Sequence, residues 1–332
     1  MVNDTTSRLA GFRYVLVTGG AGFIGSNFLC IMVEKYRHIR FVCFDALRSC
    51  ASLENLQPIR DRENFVFIRG DICDSKHLLH TMIRFGIDAV VHFAAESSVD
   101  KSIHVPNLFA YTNIAGSMIV AECCEKVGIS VLIHASTDEV YGENYFDSQH
   151  AFDESSPLRP TNPYSITKAI ADIILRTWCN LPLIVVRSSN VYGPRQYPEK
   201  LIPKLICQNL GGCKYTIHGN GLNQRCYMYI SDCISAFEYI LLYGAAGQIY
   251  NIGTDYELSN LDIALEISRA FGIDHHEDLI EFVPDRQYND QRYWMICSAI
   301  HQLSWQPSVQ FHIGLQYTVD WYKNNFENHW RV

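Results

Sequence analysis

No stretch of this 332-residue sequence reaches the roughly 18 uninterrupted apolar residues that a membrane-spanning helix needs. Residues 1–11 are few and polar, so no secretory leader is expected. Positive charge is scarce. With 27 lysines and arginines against 35 acids, the formal net charge is -8, and neither nucleic acid nor a membrane surface is an expected partner. Cys-x-x-Cys pairs are missing although there are 12 cysteines, most of them in apolar runs such as those around Cys30, Cys43, Cys123, Cys207 and Cys297. That distribution argues against a zinc repeat or a disulfide framework, predicts no metal, and suits buried thiols in a reduced, cytoplasmic protein. Internal repeats and low-complexity segments are absent too. Apolar residues are plentiful, at 48%, enough for a large core shared between two lobes.

The densest chemistry lies at Ala135-Ser136-Thr137-Asp138-Glu139-Val140-Tyr141-Gly142. The run before it, Val131-Leu132-Ile133-His134-Ala135, has the character of a buried parallel strand, so Ser136 to Glu139 are expected just past its C-terminal end. Ligands bind at that edge of an open α/β sheet. Two adjacent carboxylates there need partners or a task, because burying them is costly. Tyr164 and Lys168 follow Pro160-Thr161-Asn162-Pro163 at i and i+4, on one face of a helix. An ammonium beside a phenol favours phenolate, which would make Tyr164 a general base. Alone, Tyr-x-x-x-Lys is a chance pattern on many helices.

The N-terminal half alternates strands and helices. Arg13-Tyr14-Val15-Leu16-Val17-Thr18 runs into Gly19-Gly20-Ala21-Gly22-Phe23-Ile24-Gly25 and a helix over 26–36. Those glycines let the backbone approach a pyrophosphate seated on the helix N-terminus, with Phe23 and Ile24 beside it. A second strand, Phe41-Val42-Cys43-Phe44, ends in Asp45, about 20 residues past the last glycine, where an acid takes the adenosine ribose hydroxyls. Such an acid repels a 2'-phosphate, so NAD is expected rather than NADP. A third strand, Phe65-Val66-Phe67-Ile68, leads to Asp71 and Ile72 at the adenine end; a fourth, Ala89-Val90-Val91-His92-Phe93, leads to Ala94 and Ala95, small enough for a dinucleotide to pass. A plain cap at Asp45 or turn acid at Asp71 would look the same. A helix over 107–126 precedes the carboxylate-bearing strand. This order predicts a Rossmann-type, doubly wound parallel sheet with a smaller α/β substrate-binding lobe. The expected dinucleotide domain is 12–187 with a contribution from about 232–253, and the lobe is 188–231 with 254–326. Arg225 and Arg292 are candidates to clamp a diphosphate. Residues 321–332 read as a final helix and a frayed end.

From about residue 14 to 322 the sequence resembles the extended short-chain dehydrogenase/reductases, and within them the nucleotide-sugar 4,6-dehydratases. Thr18 to Ser26 and Tyr-x-x-x-Lys are shared across that superfamily. Asp138-Glu139 and the loop Asn190-Val191-Tyr192-Gly193 with Tyr197-Pro198-Glu199-Lys200-Leu201 are the dehydratase pattern. The resemblance implies a dehydratase of UDP-glucose or dTDP-glucose with NAD as cofactor. It makes Thr137 a partner of the sugar 4-hydroxyl, Tyr164 its base, and Asp138 the acid at the 6-hydroxyl. Glu139 becomes the base at C5, and Lys168 the residue that binds the nicotinamide ribose and lowers the Tyr164 pKa. Asn190, Glu199, Lys200, Leu201, Arg225, Asn251 and Arg292 would contact the substrate. It also implies a homodimer built on the helices near 107–126 and 165–179. Ser98, Cys226, Gln287 and Asn289 depart from the bacterial pattern, which leaves the nucleobase open. Two alternatives remain: another NAD-dependent sugar-nucleotide enzyme (a 4-epimerase or UDP-glucuronate decarboxylase), or a non-catalytic dinucleotide-sensing module. Asp138 speaks against the first; Thr137, Tyr164 and Lys168 speak against the second.

Overall fold

A computed structural model of the chain describes residues 8–144, 151–273, 277–327 and 329; the outer ends of the terminal stretches read above, 1–7 and 330–332, lie outside it. Short β-branched and aromatic runs separated by helices can return to one sheet only as parallel strands, because a parallel crossover needs a dozen or more residues. The first six are β1 (Tyr14–Thr18), β2 (Arg40–Asp45), β3 (Phe65–Arg69), β4 (Ala89–His92), β5 (Val131–Thr137) and β6 (Leu183–Ser188). After them come β7 (Asn190–Tyr192), β8 (Tyr215–His218), β9 (Gln224–Tyr229), β10 (Ile249–Ile252), β11 (Glu257–Ser259) and β12 (Ile280–Val283). The large sheet has the order β10-β6-β5-β4-β1-β2-β3 and every pairing in it is parallel. The chain starts at β1, winds outward to β3 and then reverses to β4. That reversal opens a crevice at the C-terminal ends of β1 and β4.

Helices cover both faces, which is why the inner strands are apolar on both sides. On one face the helices Phe23–Lys35 and Ile230–Tyr243 bring Phe28, Met32, Phe237 and Ile240 against the sheet. On the other, Leu78, Val120 and Leu175 come from Ser75–Phe85, Ser117–Val127 and Pro163–Trp178. The smaller lobe carries two sheets, β11-β9-β7 and β12-β8, around Tyr192, Tyr215, Tyr227, Phe311 and Tyr322. One expectation changes here. Cys297, Ile300 and Trp305, placed with the lobe by sequence, pack into the core under the large sheet, because this apolar segment meets the face that β10 completes.

Two local differences bear on the site. β5 runs two residues further than expected, because Ser136 and Thr137 pair with Arg187 and Ser188 of β6. The helix expected over 107–126 is interrupted by a π-helical turn, Ala110–Gly116. There Asn113 turns inward, and Gly116 sits so close to Ile72 that an added Cβ would lie 2.6 Å from its Cδ1. Such turns recur at functional sites. Among the described residues no helix is long and apolar enough to cross a membrane.

The helix carrying Tyr164 and Lys168 is tied to the sheet by an ion pair out of reach of water. Arg187 Nε on β6 lies 3.0 Å from Asp172 Oδ2, and Nη1 donates to the Tyr141 hydroxyl at 2.8 Å. Deleting one partner strands the other charge, a loss of about 3–5 kcal/mol. Arg187→Ala is therefore expected to lower unfolding stability by about that amount in a urea titration.

Candidate active site

A cavity of about 340 Å³ runs along the C-terminal edge of the large sheet. Its floor is the glycine loop. Gly19 takes a φ of +69°, and a Cβ there would lie 2.6 Å from the Ala94 backbone nitrogen; one on Gly25 would lie 2.3 Å from Gly19 O. Only bare backbone fits. The helix that follows starts behind Gly22 with no side chain capping it, so its first amide groups are left for an anion. Gly22, Phe23, Ile24, Ala94, Ala95 and Ile72 line the same cavity. At one end Asp45 accepts N–H bonds from Ala21 at 2.9 Å and Leu47 at 2.7 Å. Burial pushes its carboxyl up, and those two amides hold it back. Asp71 is also desolvated, but the Cys73 amide and Arg48 outweigh burial and keep it below the usual carboxylate range. Tyr164 and Lys168 line the opposite end. A pyrophosphate cradle between a buried ribose acid and a Tyr-Lys pair fits NAD.

The catalytic candidates converge where β5 ends. Thr137 caps the 3-10 turn Asp138–Tyr141, accepting the Glu139 N–H at 3.3 Å and donating to Asp138 Oδ1 at 3.2 Å. Thr137 and Glu139 line the cavity, whereas Asp138 lies off its wall, 5% exposed. Burial first, and then the Glu139 charge, raises Asp138 to about 7. Burial also raises Glu139, but the Asn162 amide, donating to Oε2 at 3.1 Å, stabilises its charged form.

Asn162 has a second job. Its Oδ1 accepts the Ser165 N–H at 2.9 Å and caps the helix Pro163–Trp178, so one side chain fixes both the base and the helix beside it. That residue was absent from the sequence-based set, although Asn before Pro is a helix-start signal. Lys168 is lowered to about 8 by burial, with Asp172 pulling the other way. Its Nζ donates to Ala135 O at 2.7 Å and lies 3.4 Å from His134 Nε2. The expected lowering of the Tyr164 pKa by Lys168 is not found. Burial and the Glu139 carboxylate push the phenol up, while the ammonium is engaged with the strand.

A second cavity, of about 160 Å³, opens towards the smaller lobe. Glu139, Asn190, Glu199, Lys200, Leu201 and Tyr227 line both cavities, so the two meet at Glu139. Arg225 lines the second, stacked 4.3 Å over Tyr293 with Nη2 donating to Asp290 O at 2.8 Å. Two expected substrate contacts are placed elsewhere. Arg292 forks onto Glu257 of β11 at 2.6 and 2.9 Å, over the Trp294 ring, and lines neither cavity. Asn251 is fully buried, bonded to the Tyr141 hydroxyl at 2.7 Å and Ile296 O at 3.0 Å. The arginine on the cavity wall beside Arg225 is Arg286, whose Nη2 lies 3.4 Å from Asp100 Oδ2 and whose buried Nε finds no partner. It shares a polar loop with Arg292, and nothing in the sequence pattern separates the two.

The family model described as GDP-mannose 4,6 dehydratase matches residues 16–318. A dTDP-D-glucose 4,6-dehydratase of Mus musculus is 42% identical over 324 residues, covering 95% of this chain and 90% of that protein. A trifunctional UDP-glucose 4,6-dehydratase/UDP-4-keto-6-deoxy-D-glucose 3,5-epimerase/UDP-4-keto-L-rhamnose-reductase of Arabidopsis thaliana is 40% identical over 330 residues, 98% of this chain but only 49% of that protein. Among solved structures, the dTDP-glucose 4,6-dehydratase of Bacillus anthracis in complex with NAD gives a TM-score of 0.87 at 38% identity, covering 95% of this chain and 98% of that one. With those matches spanning nearly its whole length, the chain belongs to the GDP-mannose 4,6-dehydratase family, the NAD-dependent nucleotide-sugar 4,6-dehydratases.

Proposed function

We propose that the protein dehydrates UDP-glucose or dTDP-glucose to the 4-keto-6-deoxyglucose nucleotide, carried by one observation: the dinucleotide cavity and the lobe cavity meet at Glu139, with Asp138, its carboxyl raised to about 7, buried beside it. When bound, NAD⁺ takes a hydride from C4 and returns it at C6. Gly19, Gly22, Gly25, Asp45, Asp71, Ile72, Ala94 and Ala95 hold the dinucleotide, with Lys168 at its nicotinamide end. Thr137 binds the sugar 4-hydroxyl and Tyr164, acting as its phenolate, takes the hydroxyl proton, leaving a carbonyl at C4. The carbonyl makes the C5 hydrogen acidic, and Glu139 removes it. Asp138 protonates O6, which departs as water, and Glu139 later returns a proton to C5. Each such acid or base is typically worth about 10²–10⁴ in rate.

Lys200, Arg225 and Arg286 supply positive charge to the lobe cavity, as a nucleoside diphosphate requires, and Asn190, Glu199 and Leu201 complete its wall. Arg286 takes the role that sequence reasoning assigned to Arg292. We place the enzyme in the cytoplasm, in keeping with 12 free thiols. A homodimer is supported by Tyr111 and by Ile166, Ile173 and Trp178, exposed on two neighbouring helices. Ile173→Glu is expected to convert a dimer to a monomer in sedimentation at micromolar concentration; an unchanged profile counts against that interface.

The function is tested by incubating the protein with each sugar nucleotide in D₂O and weighing the product. One water lost and one solvent deuterium gained at C5 is the expected result. An epimer of unchanged composition would instead mean a 4-epimerase. Asp138→Asn should slow water loss by about 10²–10⁴ while C5 exchange continues, so the recovered substrate carries deuterium.

A further inference from the structure

We propose that Arg48 straps the adenosine end of the dinucleotide cavity shut and sets how long NAD stays bound. The guanidinium bridges two loops that belong to distant strands. Nη2 lies 2.9 Å from Asp71 Oδ2, beyond β3, and Nη1 lies 3.0 Å from Glu96 Oε1, beyond β4. In the sheet order β4-β1-β2-β3 those strands are three spacings apart, about 14 Å. For one guanidinium to touch both carboxylates, the loops must arch towards each other over the ends of β1 and β2, the strands that carry the glycine loop and Asp45. Arg48, Asp71 and Glu96 all line the cavity with those groups. A dinucleotide that reaches Asp45 and the glycine loop therefore lies in a space this bridge helps to close.

The Glu96 anchor is fixed, and the exposed side of the bridge is Arg48 with Asp71. Glu96 has its backbone held on both sides by Asn113, which accepts its N–H at 2.8 Å and donates to its carbonyl at 3.0 Å. The second Glu96 oxygen takes Lys101 Nζ at 2.9 Å. Asp71 Oδ1 accepts the Cys73 N–H at 2.9 Å. The Arg48 and Asp71 side chains, by contrast, are 34% and 38% exposed, while that of Glu96 is 8% exposed. Charge-assisted bonds to two carboxylates, one of them desolvated, make this more than a loose surface pair.

The turn that aims Arg48 is held by the ribose acid itself. Leu47 sits at a φ of +54°, a conformation that leucine adopts only under constraint, and its N–H is bonded to Asp45 Oδ1. Hydroxyls bound at Asp45 and the closure of Arg48 thus depend on one carboxylate. The Glu96 anchor also reaches the catalytic helix, since Asn113 Nδ2 donates to Thr167 Oγ1 at 3.0 Å, next to Lys168.

The test is the release of NAD from the holoenzyme, timed by displacement with excess etheno-NAD and its fluorescence. Arg48→Ala is expected to release NAD about tenfold faster, because changes at one interface act mostly through dissociation. Glu96→Gln, which weakens one anchor, should also speed release, and Arg48→Lys should fall between wild type and Arg48→Ala. The melting temperature of NAD-free protein is measured alongside to register any purely structural role. Release within twofold of wild type for both Arg48→Ala and Glu96→Gln would overturn the proposal, whether or not melting shifts. Slower release in Arg48→Ala would overturn it as well.

Discussion

Asp138 and Glu139 are neighbours in sequence, both largely withdrawn from water, and the effective cost of leaving two such charges unrelieved is several kcal/mol per ion. The surrounding structure divides the relief unequally. Glu139 receives an amide bond from Asn162 and the nearby charges of Lys200 and Arg225. Asp138 receives the Thr137 hydroxyl, feels Arg225 more weakly than it feels burial and Glu139, and stays near neutrality at about 7. One carboxyl is thereby prepared to give a proton and the other to take one, although a pair this close titrates as a unit.

Holding that asymmetry requires β5, the helix Pro163–Trp178 and the smaller lobe to meet without slack. Pairing of Ser136 and Thr137 with β6 sets where β5 stops. The Asp172–Arg187 pair and the Asn162 cap fix the helix at its middle and its start. Lys200 reaches back to Ser97 O at 2.8 Å, joining the loop before Leu201–Leu210 to the β4 loop. The same β4 loop carries Glu96, so the cofactor and substrate sides of the crevice share an anchor.

Much of this was readable before the structure. The glycine loop, Asp45, Asp71 and the Tyr164–Lys168 spacing are local signals, fixed by strand-turn-helix order and helical period, and they line one cavity. What escaped depended on three-dimensional competition between similar groups. Arg292 and Arg286 lie six residues apart in a polar loop: Arg292 is drawn away by Glu257 on β11, whereas Arg286 pairs through Nη2 with Asp100 on the cavity wall and leaves its buried Nε without a partner. Asn251 lies in the interior, where its Oδ1 accepts from the Tyr141 hydroxyl, a partner that only the fold reveals. The direction of the Tyr164 shift was misread because helical spacing places Lys168 nearby without revealing that Ala135 O holds its ammonium. The π-helical turn at Ala110–Gly116 was hidden for a similar reason: its Asn113 bonds Glu96 and its Gly116 packs on Ile72, both distant in sequence.

The central claim is that Asp138, its carboxyl raised to about 7, acts as the proton donor beside Glu139 as the base. The direct measurement is the pH dependence of single-turnover water loss from the sugar nucleotide, with C5 deuterium exchange followed in the same samples. An acid must be protonated to donate, so water loss should be full below about pH 7 and fall as pH rises through that value, while C5 exchange by Glu139 persists. Water loss that stayed flat across that range, or rose through it, would contradict the assignment of Asp138 as the acid.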